Sequence, residues 1–314
     1  MQNSAMGADS FSAIVEVAIK VAQMHDSTVA LTDLTELMPA GMTSVEVAEA
    51  LEFTPELSTK YVLKDGLVLP KSGIRPDSDD HSRRLAHSMT NINVAKRIST
   101  MLGTDEAEMI AVTGSTSYRA ASWRDDVDLF CVTRPQRMWL FLAKALLFAR
   151  ASRLLLRSKV PICLSCVVDE THAQDLFNND RGALFARDAL LARVLTGDGQ
   201  YRSLLESAQW IRNYFPRLYD ARCTPGGQSP ATGVRSSAWD RFVNLFLFTT
   251  LGTYVRAKSR LHNRLLAMEG KGMALFHAKV GTDHLIYESA RYGRLKEIYG
   301  AIKPMSEPVQ SATR

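Results

Sequence analysis

The sequence predicts an α+β fold in three parts: helices closed by a small hairpin over residues 1–78, a sheet-bearing segment over 79–222, and a helical region over 223–314. Three observations carry that expectation. Apolar residues recur at three- and four-residue steps in Phe11 to His25, His81 to Leu102, Met138 to Arg157 and Ser237 to Met268, the period of helices with one buried side. Short apolar runs at Met109 to Thr113, Val127 to Thr133 and Val160 to Val168 have the length and β-branched content of strands. Turn-forming clusters at Pro76 to Asp80 and Cys223 to Gly233 punctuate the chain where the parts meet.

Bulk properties narrow the class. A chain of 314 residues, 46% hydrophobic and 23% charged, has enough apolar material for two or three packed cores. Its formal net charge of +5 and pI of about 9.0 suit nucleotide, tRNA or DNA partners without requiring one. The opening Met1 to Asp9 lacks a basic stretch followed by an apolar core, so no secretory signal is expected and a cytoplasmic address follows. Four cysteines, at 131, 163, 166 and 223, are too few for a disulfide framework. Cys163 and Cys166 have the spacing of a redox or zinc pair. They sit in a run that reads as a strand, where positions three apart face opposite sides, and no second pair completes a zinc site.

From the N-terminus, a first helix spans Phe11 to His25, and short helices are expected at Asp33 to Leu37, at Ser44 to Leu51 with a cap at Thr43 and Ser44, and after Thr54-Pro55. Lys64 to Ile74 reads as a strand and turn. This succession resembles a winged helix-turn-helix, which implies DNA or RNA contact through a recognition helix. The Thr43 to Leu51 helix is acidic, whereas a helix laid against phosphates is expected to carry Lys or Arg. A structural or protein-contacting role therefore stands beside nucleic-acid binding. In the next helix, Arg83, Arg84, Lys96 and Arg97 read as a solvated basic face.

The centre of the chain is Met109 to Thr133, an apolar run ending in Gly114-Ser115, a polar interval, and a second apolar run entered through Asp126-Val-Asp128. Two strands joined by a turn and a short helix fit that pattern. Alternation along a strand turns Asp126 and Asp128 to the same side, where paired carboxylates suit a hard divalent cation such as Mg2+. Gly114 permits a tight turn whose backbone N–H groups can approach a polyphosphate, and Ser115 adds a hydroxyl donor. Metal-bridged phosphates beside an anion-binding turn amount to phosphoryl-transfer chemistry.

Thr113-Gly-Ser followed by Asp126-Val-Asp-Leu-Phe130 resembles the signature of the DNA polymerase β-like nucleotidyltransferase superfamily. From Cys163 to Pro216 the chain is similar, more loosely, to bacterial and archaeal nucleotidyltransferase-domain proteins with an N-terminal winged helix. The resemblance implies a nucleotidyltransferase α/β sheet domain, an NTP donor such as ATP, Mg2+ on Asp126 and Asp128, and donor phosphates seated at Gly114 and Ser115. It also implies a third carboxylate on a neighbouring strand, serving as metal ligand or proton acceptor. Here Ser165 stands mid-strand where an acid would be useful, and Asp169 at the strand end is the candidate. Arg119 and Arg124 are secondary candidates for neutralising developing charge.

Met138 to Arg157 is apolar, but Lys144, Arg150 and Arg153 interrupt it, so it reads as a buried helix and no membrane span or partner is expected. Helix is expected over Ala183 to Thr196. In the last third, the stripe through Trp239, Phe242, Phe246, Leu247, Leu251 and Val255 reads as a helix packed across the sheet. His277 and His284 receive no role, Tyr287 to Tyr299 reads as a final helix, and Pro304 to Arg314 as a frayed tail. The expected activity is transfer of a nucleoside monophosphate to a hydroxyl acceptor with release of pyrophosphate, the acceptor being a tRNA, a protein or a small molecule. The alternative is a degenerate nucleotide- or nucleic-acid-binding regulator acting through the winged helix; a toxin–antitoxin partner is a third reading.

Overall fold

The computed structural model describes residues 8–25, 27–39, 41–72, 78–103, 105–123, 125–155, 161–223, 237–270 and 272–305. The expected linker beyond Cys223, the residues just before Ser78, Arg124 and the tail beyond Met305 lie outside them. Helix, sheet and mixed strand pairing make this an α+β protein.

The chain begins with α1 (Ala8–Met24), whose Phe11, Ile14, Val15, Ala18 and Ile19 are buried. After β1 (Val29–Ala30) and α2 (Leu31–Glu36) comes α3 (Ser44–Phe53). It starts on a capping box: Glu46 N–H donates to Thr43 Oγ1 at 3.2 Å, and Thr43 N–H donates to Glu46 Oε2 at 2.7 Å. One of the acidic charges that weighed against phosphate contact is therefore committed to starting the helix. A single turn, α4 (Pro55–Ser58), leads into the hairpin β2 (Tyr61–Lys64) and β3 (Leu67–Pro70). Its connecting pair Asp65-Gly66 has φ of 51° and 74°, the left-handed values a two-residue type I′ turn requires. The small sheet has the order β1-β3-β2 and is antiparallel throughout.

The 25-residue helix α5 (Ser78–Leu102) then carries the chain to β4 (Ala107–Thr113). A single helical turn, α6 (Gly114–Ser117), precedes β5 (Val127–Thr133), and α7 (Met138–Leu155) crosses over to β6 (Ile162–Asp169). Helices α8 (Glu170–Asn178) and α9 (Ala183–Leu191) lead to β7 (Arg193–Thr196), and α10 (Asp198–Ser207) and α11 (Pro216–Arg222) follow. The last part holds α12 (Ala238–Leu247) and α13 (Thr253–Met268), joined through a π-helical turn at Phe248–Gly252. The hairpin β8 (Phe276–Val280) and β9 (His284–Ser289) and helix α14 (Ala290–Tyr299) complete it. The six-stranded sheet has the order β7-β4-β5-β6-β9-β8, and β5–β6 is its one parallel pair.

Alternation along β5 splits the core in two. Val127, Leu129 and Cys131 pack with Trp139, Phe141 and Leu142 of α7 and Val255 of α13. On the other face Val132 joins Met109, Ala111 and Val168 in a larger cluster that runs through α8 to α11 and on to α1. The N-terminal helices thus share apolar core with the sheet. No helix among the described residues is long and apolar enough to cross a membrane.

Three expectations are corrected. Helix stops at Leu191, and Arg193–Thr196 pairs with β4 as an edge strand, because the β-branched Val194 and Thr196 suit a pleat and Gly197 turns the chain at φ 83°. The C-terminal region is not all helical. Phe276–Val280 alternates partly buried with exposed residues, and its hairpin with β9 extends the sheet, so Tyr287 belongs to a strand and the final helix starts only after Ser289. The apolar stripe of α12 and α13 divides: Leu247, Phe248, Leu251 and Val255 pack on the sheet, while Trp239, Phe242 and Phe246 are exposed.

Gly197 is a position where size decides. A Cβ there would lie 1.9 Å from the carbonyl oxygen of Glu108, a backbone atom that cannot swing aside. Gly197→Ala is expected to cost about 3 kcal/mol or more, from clash and left-handed strain together, read as a lowered midpoint in urea unfolding.

Candidate functional site

The end of β4 meets the start of β5 with Thr113 opposite Asp128. Gly114 follows at φ 67°, and a Cβ on it would stand 2.6 Å from Asp128 Oδ2. Only glycine lets the bend close over this carboxylate. Asp126 lies two residues earlier on the same side, and a ligand atom from each of Asp126, Asp128 and Cys163 fits within 4.8 Å of the others. The sequence-predicted pair and Gly114 are therefore brought together.

Electrostatics at the pair are unfavourable for two negative charges. Burial and the neighbouring charge of Asp126 push Asp128 up to about 7, against a hydrogen bond from Cys163. Burial likewise raises Asp126, with Asp125 adding to the effect. This strain is what a divalent cation between the carboxylates would relieve, and hard carboxylate oxygens match Mg2+. Burial and both acids push the Cys163 thiol up, so beside the unmetallated carboxylates it stands as an S–H donor.

How Cys163 reaches the acids was not legible in the sequence. Asp128 pairs with Cys163 but Phe130 pairs with Cys166, so β6 carries one extra residue over this stretch. That bulge puts Cys163 and Cys166 on the same face of the sheet, correcting the expectation from simple alternation. They still share no site: Cys163 meets the carboxylates, and Cys166 packs into the larger core. Ser165, inside the bulge, donates to the carbonyl of Leu129 at 3.2 Å.

Other expected members are placed differently. Asp169 is opposite Thr133 at the far end of β6, roughly 17 Å along the strand from Asp128 at about 3.3 Å per residue. Its carboxylate is buried and caps α8 by accepting from His172 N–H at 3.0 Å, so it is no third acid for this pair. The Ser115 hydroxyl donates to Asp125 Oδ2 at 2.9 Å, which leaves its proton committed within the loop and not free for a phosphate. Asp125, for which the sequence carries no signal, also accepts from Ser122 N–H at 3.0 Å and Ser122 Oγ at 2.9 Å. Although burial works against its charge, these bonds hold it below the usual carboxylate range. Arg119, at φ 61°, turns towards α2 and pairs with Asp33 at 3.8 Å. Of the basic face on α5, Arg84 is half-buried, bonding Asp80 at 2.7 Å and the carbonyl of Ala120 at 3.2 Å.

Beside Ser115 a pocket opens between α1, α2 and the bend. Its lining includes His25, Arg119, Arg187 and Arg193, together with Asp33 and Glu36. The Nε atoms of Arg187 and Arg193 are buried and have no hydrogen-bond partner. His277 is exposed on β8, whereas His284 sits against Asp283 and His172 at the other end of the sheet. Compared with family models, curated proteins and solved structures, the chain gives no match.

The Asp128 carboxyl keeps its proton up to about pH 7 in the folded chain but only to about 3.8 when unfolded. Stability therefore falls as pH rises through that window, and the cost is complete above it. Asp128→Asn is expected to unfold at higher denaturant than the wild type at about pH 8 without divalent cation, by ~1 kcal/mol after allowance for solvent screening. The advantage should vanish near pH 4, as paired urea titrations at the two pH values would read.

Proposed function

We propose that the chain is a Mg2+-dependent nucleotidyltransferase with an N-terminal winged helix-turn-helix, transferring a nucleoside monophosphate from an NTP to a hydroxyl acceptor. The observation that carries this reading is the Asp126–Asp128 pair facing the Gly114 bend, with Asp128 pushed up to about 7 by burial and by its partner. The resemblance of Gly114-Ser115 and Asp126-Val-Asp128 to the polymerase β-like signature supports it, as does the element order of the first part, a helix, a short strand, helices and a hairpin.

In this reading Asp126 and Asp128 would hold Mg2+, which would supply charge neutralisation for the triphosphate and acidify the acceptor hydroxyl. Gly114 keeps the backbone low enough for phosphate to approach. The acceptor oxygen bonds to the α-phosphorus as the bond to pyrophosphate breaks. Asp126, partly desolvated but the more exposed of the pair, leaves the site open to water, which takes the hydroxyl proton. The unpaired Nε atoms of Arg187 and Arg193 favour an anionic group in the adjoining pocket, on the donor tail or the acceptor. ATP is the expected donor; a tRNA, a protein or a small molecule would each supply the hydroxyl.

A second reading is favoured by one observation. Among the described residues the third group beside Asp126 and Asp128 is Cys163 and not a carboxylate, which suits a protein that binds nucleotide and regulates through its winged helix. Incubation with α-labelled NTPs, Mg2+ and a cell lysate separates the two. Transfer of label by the wild type, reduced about a thousandfold or more in Asp126→Asn/Asp128→Asn, is the expected result. Mg2+-dependent NTP binding in calorimetry with no pyrophosphate release would leave the regulator reading in its place.

A further inference from the structure

His172, near the start of α8, and His284, at the start of β9, both face the carboxylate of Asp283. His172 Nδ1 lies 3.2 Å from Asp283 Oδ2, and His284 Nδ1 lies 2.9 Å from Asp283 Oδ1. The two rings stack, with centroids 4.4 Å apart and planes 25° from parallel. We propose that His172, Asp283 and His284 bind one borderline divalent transition-metal ion of the Zn2+ type, independently of any nucleotide chemistry at Asp126 and Asp128.

Ligand chemistry and spacing support this. Imidazole nitrogen with one carboxylate is a donor set that suits Zn2+, Ni2+ or Co2+ and not Mg2+. Bonds of 2.0–2.1 Å in a tetrahedral shell put neighbouring ligand atoms about 3.3 Å apart. With one ligand atom from each residue, the three lie within 4.8 Å of one another, and each imidazole nitrogen already stands 3.2 or 2.9 Å from one oxygen of the Asp283 carboxylate, close to that edge. Three protein ligands would leave a fourth position for water.

The surroundings hold the ligands in place. The turn bearing Asp283 is tied from three directions: Asp169 N–H donates to the carbonyl of Asp283 at 2.8 Å, Trp139 Nε1 to that of Gly281 at 3.0 Å, and Asn244 Nδ2 to that of Thr282 at 3.0 Å. The Asp169 carboxylate in turn fixes the backbone of His172. Gly281 makes room for the ring: a Cβ there would stand 2.5 Å from His284 Cε1 and 2.9 Å from Asp283 Oδ1. Such outer-shell anchoring is what a preformed metal site needs. Asp169 thus acquires a use after all, as the residue that positions this second cluster.

The test uses the full chain, stripped with chelator and titrated with Co2+ alone. Visible bands of tetrahedral Co2+ should saturate at one equivalent and be displaced by one equivalent of Zn2+. His172→Gln and His284→Gln are each expected to weaken binding at least about tenfold, while Asp126→Asn/Asp128→Asn keeps the bands. Absence of binding to the wild type, or binding that survives in His172→Gln/His284→Gln, overturns the proposal. Should those variants fail to fold, nitrogen NMR of the wild-type imidazoles decides: Zn2+ should move two of the seven histidines, and a spectrum it leaves unchanged overturns the site.

Discussion

The close approach of the Gly114 backbone to the Asp128 carboxylate is the constraint on which the centre of the molecule depends. It requires glycine, because a Cβ would stand 2.6 Å from Oδ2. It also withdraws the carboxylate from water, and with Asp126 beside it that burial costs charge and raises Asp128. The neighbouring loop has the opposite character: Asp125 is fully engaged by Ser115 and Ser122, and its charge is stabilised. Neighbouring aspartates thus divide between one whose charge holds the loop in shape and two whose charge is opposed by their surroundings.

The scaffold around this point is built so that the acids and Cys163 must meet. β5 and β6 are the one parallel pair of the sheet, so both strands start at the same edge. The extra residue in β6 then turns Cys163 towards Asp128. Around the edge, Tyr118 bonds the buried Asp188 of α9 while Arg187 lies 3.9 Å over its ring, tying the segment after the bend to the larger core. The N-terminal helices share that core, and Arg217 of α11 donates to the carbonyls of Thr35 and Met42.

Much of this was legible in the sequence, because local periodicity and local chemistry agree. The helix over Phe11 to His25, the Thr43 cap, the Asp65-Gly66 turn and the juxtaposition of Gly114 with two same-side aspartates are all set by near neighbours in the chain. What was missed depends on partners far away. Arg193–Thr196 is a strand only because β4 offers an edge, and the last hairpin pairs with β6 across more than a hundred residues. The bulge in β6 has no residue signature, so counting positions sent Cys163 and Cys166 to opposite faces. His172 and His284, separated by 112 positions, converge only once β9 lies beside β6.

That hairpin has a further consequence. Without β9, the backbone donors and acceptors along Cys166 to Val168 would face solvent in a strand whose side chains are largely apolar. A shortened chain ending before Phe276 would offer this raw border to other copies of itself. The closing segment therefore acts as a hem on the sheet, and its loss would show as aggregation.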